Sequence, residues 1–202
     1  MTKTESYYEN PKEIEKKIWS LLTNAVKDRS SDFRTPIFIC GNEKDFDGRV
    51  VVLRKADQKN NFIQYHSDIR STKIEKIKKN SNCSILFYGK EEKIQLRIKV
   101  NCEVNYNNQV TKESWEKTGH ISRKCYLVTK SPGTESNIPT SGLDTKFDNF
   151  DFSKEQSEKG YKNFSVIKCE IKSIEWLYLA AKGHRRALID MGIPKKFTWL
   201  IP

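Results

Sequence analysis

The chain has no run of apolar residues long enough to span a bilayer. Its first segment, MTKTESYYENPKEIEKK, lacks the apolar stretch that a secretory leader needs, so a cytoplasmic location is expected. No C-x-x-C spacing occurs. The five cysteines, at 40, 83, 102, 125 and 169, are scattered and odd in number. That pattern argues against a disulfide framework and a zinc site and for reduced thiols. Three of them lie in strand-like runs and read as buried, inert sulfurs. Asp45, Asp47 and Gly48 resemble the start of a cation loop, but the remaining ligand positions are missing, so no metal is expected. Internal repeats and low-complexity linkers are also missing.

What is present is a 202-residue chain, long enough for a single domain spanning 1–202 with a real core. Hydrophobic content of 36% and aromatic content of 11% are too rich for a disordered protein despite 31% charge. The net charge of +11 attracts polyanions. Yet the lysines are interleaved with glutamates, as in KEEKIQLRIK and KIEKIKK, and no aromatic RNA-binding signature, zinc-finger spacing or long basic block appears. Nucleic acid is therefore not the expected partner.

The apolar spacing predicts the elements. Residues 11–27 place Ile14, Ile18, Leu21, Leu22 and Ala25 on one helical face, with Pro11 suited to the first turn. Strand-like runs follow at 35–41, 49–56, 61–67 and 82–89, the second and third joined as a hairpin. Between the last two, Thr72 with Glu75 three residues on reads as a capping box opening a helix that buries Ile74 and Ile77. Residues 94–104 give the clearest signal: Ile94, Leu96, Ile98, Val100, Cys102 and Val104 alternate with polar residues, so one face meets a core and the other water or a ligand. A helical segment near 108–119 precedes a long Pro-, Gly- and Ser-rich loop. Strands at 163–180 and 184–191 and a last short run, FTWLIP, close the chain. About seven strands joined mostly as hairpins, with two or three helices, point to a mainly β, closed or split antiparallel barrel with peripheral helices.

One turn draws attention. Ser67, Arg70, Ser71, Thr72 and Lys73 crowd the passage from a strand into a helix. Two cations, several hydroxyls and a helix N-terminus make a receptor for a dianion. The same residues also suit a capped helix with solvated cations, and the turn alone does not decide between the two.

The ordered set GRVVVLR, FIQYHSDIRSTK, ILFYGKEEKIQLRI, SRKCYL, PGT, PTSG and IEWLYLAAKGHRRA, ending in WLIP, resembles the pyridoxamine 5′-phosphate oxidase-like family of FMN-binding split barrels, over about residues 15–202. The resemblance implies a six-stranded antiparallel split β-barrel and a homodimer with FMN at the interface, each site built from both chains. By position it assigns Arg49, Val51, Val52 and Leu53 to the strand lining the flavin, Tyr65 and His66 to the strand end, and Arg70, Ser71 and Lys73 to the phosphate turn. It further assigns Gln95, Trp176 and Arg186 to flavin contacts. Isoalloxazine asks for a flat apolar surface with a few aimed polar groups, and donors near its reduced ring favour the reduced form. On the substrate side, Arg54 stands where the oxidases carry a lysine. Lys182, Gly183 and His184 stand where they carry arginine, leucine and histidine, and Arg123 matches a further phosphate-contacting arginine. Arg54 and His184 are the expected catalytic pair, with Arg54, Arg123, Lys182 and His184 holding a small-molecule substrate. His184 also reads as a histidine that only hydrogen-bonds its hairpin. The implied activity is oxidation of a small amine or alcohol by FMN, reoxidised by oxygen. An FMN-dependent reductase of another small substrate, or a non-catalytic flavin-binding protein, fits the same residues.

Overall fold

Alternating apolar residues build most of the architecture. In the computed structural model, which describes residues 6–144, 147 and 153–202, nine strands form one antiparallel sheet among the described residues. They are β1 (Ile37–Gly41), β2 (Phe46–Val50), β3 (Leu53–Asp57), β4 (Phe62–Asp68), β5 (Asn82–Gly89), β6 (Ile94–Tyr106), β7 (Phe164–Tyr178), β8 (Arg185–Asp190) and β9 (Lys196–Leu200). The helices are α1 (Pro11–Lys27), α2 (Thr72–Lys79), α3 (Gln109–Glu116), α4 (His120–Arg123) and α5 (Lys154–Glu158).

The strands run in the order β2-β1-β5-β6-β7-β4-β3. One edge of β7 pairs with β6 along nearly its whole length, while its other edge is divided. Phe164 to Glu170 pair with β4, and Ser173 to Tyr178 pair with β8, which carries β9 outside it. The sheet therefore forks at β7, and the barrel is split rather than closed.

The run 49–56, expected as a single strand, is two. Val51 and Val52 lie between β2 and β3, which form the opposite ends of the main strand path. Two residues bridge the gap, so the ends approach within about 11 Å there, the reach of three extended residues. The backbone N–H of Val51 donates to the Pro36 carbonyl at 3.0 Å and holds this corner. A strand cannot continue through it because the chain changes its hydrogen-bonding neighbour.

Helix α1 starts where Asn10 accepts hydrogen bonds from the backbone N–H groups of Lys12 and Glu13 (3.0 and 3.3 Å), with Pro11 in the first turn. It ends where Arg34 donates to the carbonyls of Ala25 and Val26 at 3.0 and 2.9 Å. Ile14, Ile18, Trp19, Leu22 and Ala25 are buried in the main core with Phe38, Leu53, Tyr65, Leu96 and Trp176. Trp115, Tyr126, Phe164 and Val166 form a smaller cluster beneath α3. No helix among the described residues is long and apolar enough to cross a membrane.

Helix α2 corrects the expected capping box. Thr72 is its first helical residue, Ser71 is the N-cap, and no side chain caps the terminus. The expected long loop begins with α4 and a 3-10 turn, Lys124–Tyr126, before an irregular stretch; residues 145 and 146 of it lie outside the described residues.

Candidate phosphate turn and adjoining cleft

The turn between β4 and α2 gathers cations, but not the pair expected. The ammonium of Lys73 donates to Ser67 Oγ at 2.8 Å, and Ser67 is buried. Arg49 reaches across from β2 and donates to Ser71 Oγ at 3.4 Å, so the N-cap hydroxyl faces a guanidinium instead of closing its own helix. Arg49 also pairs with Asp47, while its buried Nε has no partner. Burial, and then the charge of Arg49, pulls the Lys73 pKa down to about 8. Two converging cations, an orphaned guanidinium nitrogen and an uncapped helix start leave a site that an added anion would satisfy.

Arg70 is already engaged. Its Nε and Nη2 donate to the Asp68 carboxylate at 3.0 and 2.7 Å, and its remaining donors meet the carbonyls of Thr129 and Val128 at 3.2 and 3.1 Å. The Asp68 hydrogen bonds raise its pKa, and the side chain clips the 127–144 loop to the barrel. The turn thus takes its second cation from Arg49, with Arg70 as the clip.

The other assigned residues separate by strand face. Val51 and Leu53 are buried in the core, and Val52 is half-buried. Tyr65 is buried against Phe38, ring centroids 4.9 Å apart, with its hydroxyl unpartnered. Gln95 and Arg186 lie in one row across β6, β7 and β8, with Leu177 between them. Arg186 Nε donates to Glu175 at 2.8 Å, and Arg97 pairs with the same carboxylate.

Trp176 points the other way. It has no exposed surface and packs against Tyr8 and Tyr178. Alternation along β7 sends it inward, so its assignment as a flavin contact is corrected to a core position. Arg123 is corrected likewise. It is buried over the Trp115 ring at 4.5 Å and donates to the carbonyls of Thr118 and Trp115 at 2.8 and 2.6 Å. Its ion pair with Glu158 completes a structural network that leaves nothing for a substrate. Lys182 and His184 are exposed on the β7–β8 turn, where His184 Nδ1 accepts from the Ala180 backbone N–H at 3.1 Å.

Arg54 and His66 share a cleft of about 600 Å³ beside the turn. A bulge in the β3–β4 register between Leu53 and Lys55 leaves Arg54 as the extra residue, which turns its side chain toward the cleft. Arg54 Nε is buried without a partner, and burial lowers the pKa of its guanidinium. His66 stands edge-on to Phe164 at 4.8 Å, and burial, then Arg54, pushes its pKa down to about 3. The imidazole is therefore neutral at any working pH. Arg29, Lys55, Lys117 and Lys168 add four further cations against one carboxylate, Glu113. The ammonium groups of Lys55 and Lys168 each lie 4.8 Å from the Phe62 ring centroid. Sequence reasoning missed Asp68, Phe62 and Lys168. Only Asp68 left a trace there, two positions before the arginine it neutralises.

Residues 16–105 match the model of the family described as pyridoxamine 5′-phosphate oxidase, FMN-binding domain. The fold is that of a pyridoxamine 5′-phosphate oxidase-related, FMN-binding protein from Nostoc punctiforme PCC 73102, at 15% identity and TM-score 0.73, with all of each chain covered. It is also that of PhzG from Burkholderia lata 383, solved with tetrahydrophenazine-1-carboxylic acid, at 13% identity and TM-score 0.71, covering 100% of this chain and 99% of that one. No curated protein matches the chain. The match covers β1 to β6 and with them Arg49, Arg54, Ser67, Ser71 and Lys73. Residues 16–105 thus match the FMN-binding domain model of the pyridoxamine 5′-phosphate oxidase family, within a split-barrel fold that the whole chain shares with these solved structures.

Proposed function

We propose that the protein is an FMN-dependent oxidoreductase that oxidises a small anionic amine or alcohol, with oxygen as the final acceptor. The observation that carries this reading is the presence of two distinct cationic sites within β2, β3, β4 and the turn that follows. Lys73, Arg49, Ser67 and Ser71 form a seat for the cofactor's phosphate, and Arg54 heads a separate cationic cleft. Bound FMN would supply the two-electron acceptor. Arg54, turned out by its bulge, would hold the substrate's anionic group, and the cleft's cations would favour anions over neutral competitors. Neutral His66 would donate or accept a hydrogen bond there without adding charge.

A homodimer completes the proposal. The outer face of β2, β1 and β5 exposes Val50, Ile37 and Tyr88, whose strand register brings them to one side of the sheet. A second copy docked on that face would bring Gln95 and Arg186 to the interface, and its β7–β8 turn would offer Lys182 and His184 to the site.

The test is an absorbance spectrum of protein incubated with FMN and desalted, then mixed with pyridoxamine 5′-phosphate without oxygen. Retained colour that bleaches, and returns with air, supports the oxidase. Retained colour that bleaches only with a nicotinamide donor would favour a reductase, and colour that neither reagent bleaches would favour a flavin-binding protein. A protein that never retains FMN overturns the reading.

A further inference from the structure

A row of thiols crosses the barrel interior. Cys40 on β1, Cys83 on β5, Cys102 on β6 and Cys169 on β7 occupy four successive strands of the sheet, and all four are buried. Within the row, Cys102 and Cys169 are direct partners in the β6–β7 register, with their sulfurs 3.3 Å apart. Directly opposed residues of an antiparallel pair have Cα atoms about 4.5–5.5 Å apart, inside the 4.4–6.8 Å that a disulfide spans. The sulfurs need to close by only about 1.3 Å to reach bonding distance. The Cys83 thiol also touches Cys102 but stands opposite Val100 in the register, and Cys125 lies exposed outside the barrel, so neither has the direct cross-strand alignment.

We propose that Cys102 and Cys169 are an oxidation site that closes to an intramolecular disulfide under hydrogen peroxide. The first sulfur attacks a peroxide oxygen, forming an S–O bond and breaking the O–O bond, and one water leaves. The second sulfur then displaces the hydroxyl of that sulfenic acid, forming the S–S bond and releasing a second water. Two thiols and one peroxide become one disulfide and two waters. Peroxide suits the site because the two cysteine residues are 5% and 0% exposed, closed to a tripeptide thiol. The Cys169 contact and burial hold the Cys102 thiol protonated, so the reaction is slow and follows local opening of the barrel. The bridge would tie together the two longest strands, β6 and β7. None of this depends on bound flavin or on the activity proposed above.

The test uses the full chain. Native protein is treated with peroxide, quenched, unfolded, alkylated and digested with trypsin without reduction. The expected product joins the peptide 100–112 to the peptide 169–172, appears at a loss of two hydrogens in the intact mass, and disappears with dithiothreitol. Oxidised protein should also show a higher urea midpoint that dithiothreitol returns to the starting value. Cys83→Ala should leave the cross-linked peptide in place, while Cys169→Ser should remove it. Both cysteines recovered alkylated, a bridge to Cys83 instead, or the same mixture of pairings that a urea-unfolded sample gives would each overturn the proposal. The wild-type peptide map alone decides, so a variant that fails to fold does not blunt the test.

Discussion

Replacing Lys73 with Met probes the phosphate turn most directly. The ammonium donates to Ser67 and stands beside Arg49 with no carboxylate bonded to it, so its natural counter-charge would be a bound anion. A charge-assisted hydrogen bond contributes about 1.5–3 kcal/mol, so FMN affinity should fall about 10- to 100-fold at 1.4 kcal/mol per decade. The pH dependence follows from the same group. In the free protein Lys73 titrates at about 8. A phosphate beside it raises that pKa, so binding is strongest below pH 8 and weakens as pH rises through 8 toward the pKa of the complex. The phosphate is already a dianion across this window, since its second pKa is about 6, and adds no slope of its own. Fluorescence titration of FMN from pH 7 to 9.5 reads both effects. Lys73→Met should be weak and flat with pH, whereas Lys73→Arg should be flat without losing the charge. Because the folded pKa of Lys73 lies below its unfolded value, protonation at neutral pH costs stability, and Lys73→Met should raise the melting temperature of the apo protein. Unchanged affinity together with an unchanged pH profile would refute the assignment.

Further outcomes follow from the same structure. Arg70→Ala strips the guanidinium from a nearly buried Asp68 and should cost about 3 kcal/mol in urea unfolding, with faster protease cleavage in the 127–144 loop. Arg123→Ala should destabilise by about 3–5 kcal/mol while leaving turnover per folded molecule unchanged, since its donors are spent inside the fold. Trp176→Phe should leave FMN affinity intact, and a loss beyond threefold in the same titration would return the indole to the site. Ile37→Glu should turn a dimer into a monomer in sedimentation, and an unchanged mass would move the interface elsewhere.

Local chemistry made several elements legible beforehand. Pro11 and the spacing from Ile14 to Ala25 marked α1 to the residue, though Trp19 on its buried face went unnoticed because an indole also suits a surface. The unbroken alternation of 94–104 marked β6, and NCSILFYG marked β5 with its exact ends. The crowded turn at 67–73 was visible as a cationic strand-to-helix passage. Its division of labour was not: Arg49 meets Ser71 only once the chain has folded back over 22 residues, while Arg70 turns to Asp68 two positions before it. The Thr72–Glu75 spacing suggested a capping box, but the helix takes Ser71 as its N-cap and forms no side-chain cap at all.

The sequence by itself determined the period of each segment, the polarity of each face, and the stock of cations from which an anion site is built. Those properties reside in residues a few positions apart, where helix and strand periodicity act. Only the tertiary structure decided that 49–56 breaks at Val51–Val52, that Trp176 points inward while Arg186 points out, that Arg123 is a strut, and that Cys102 meets Cys169. Each of these depends on which strands become neighbours and in what register. Registry is a long-range outcome: a one-residue slip would exchange every inward side chain for an outward one.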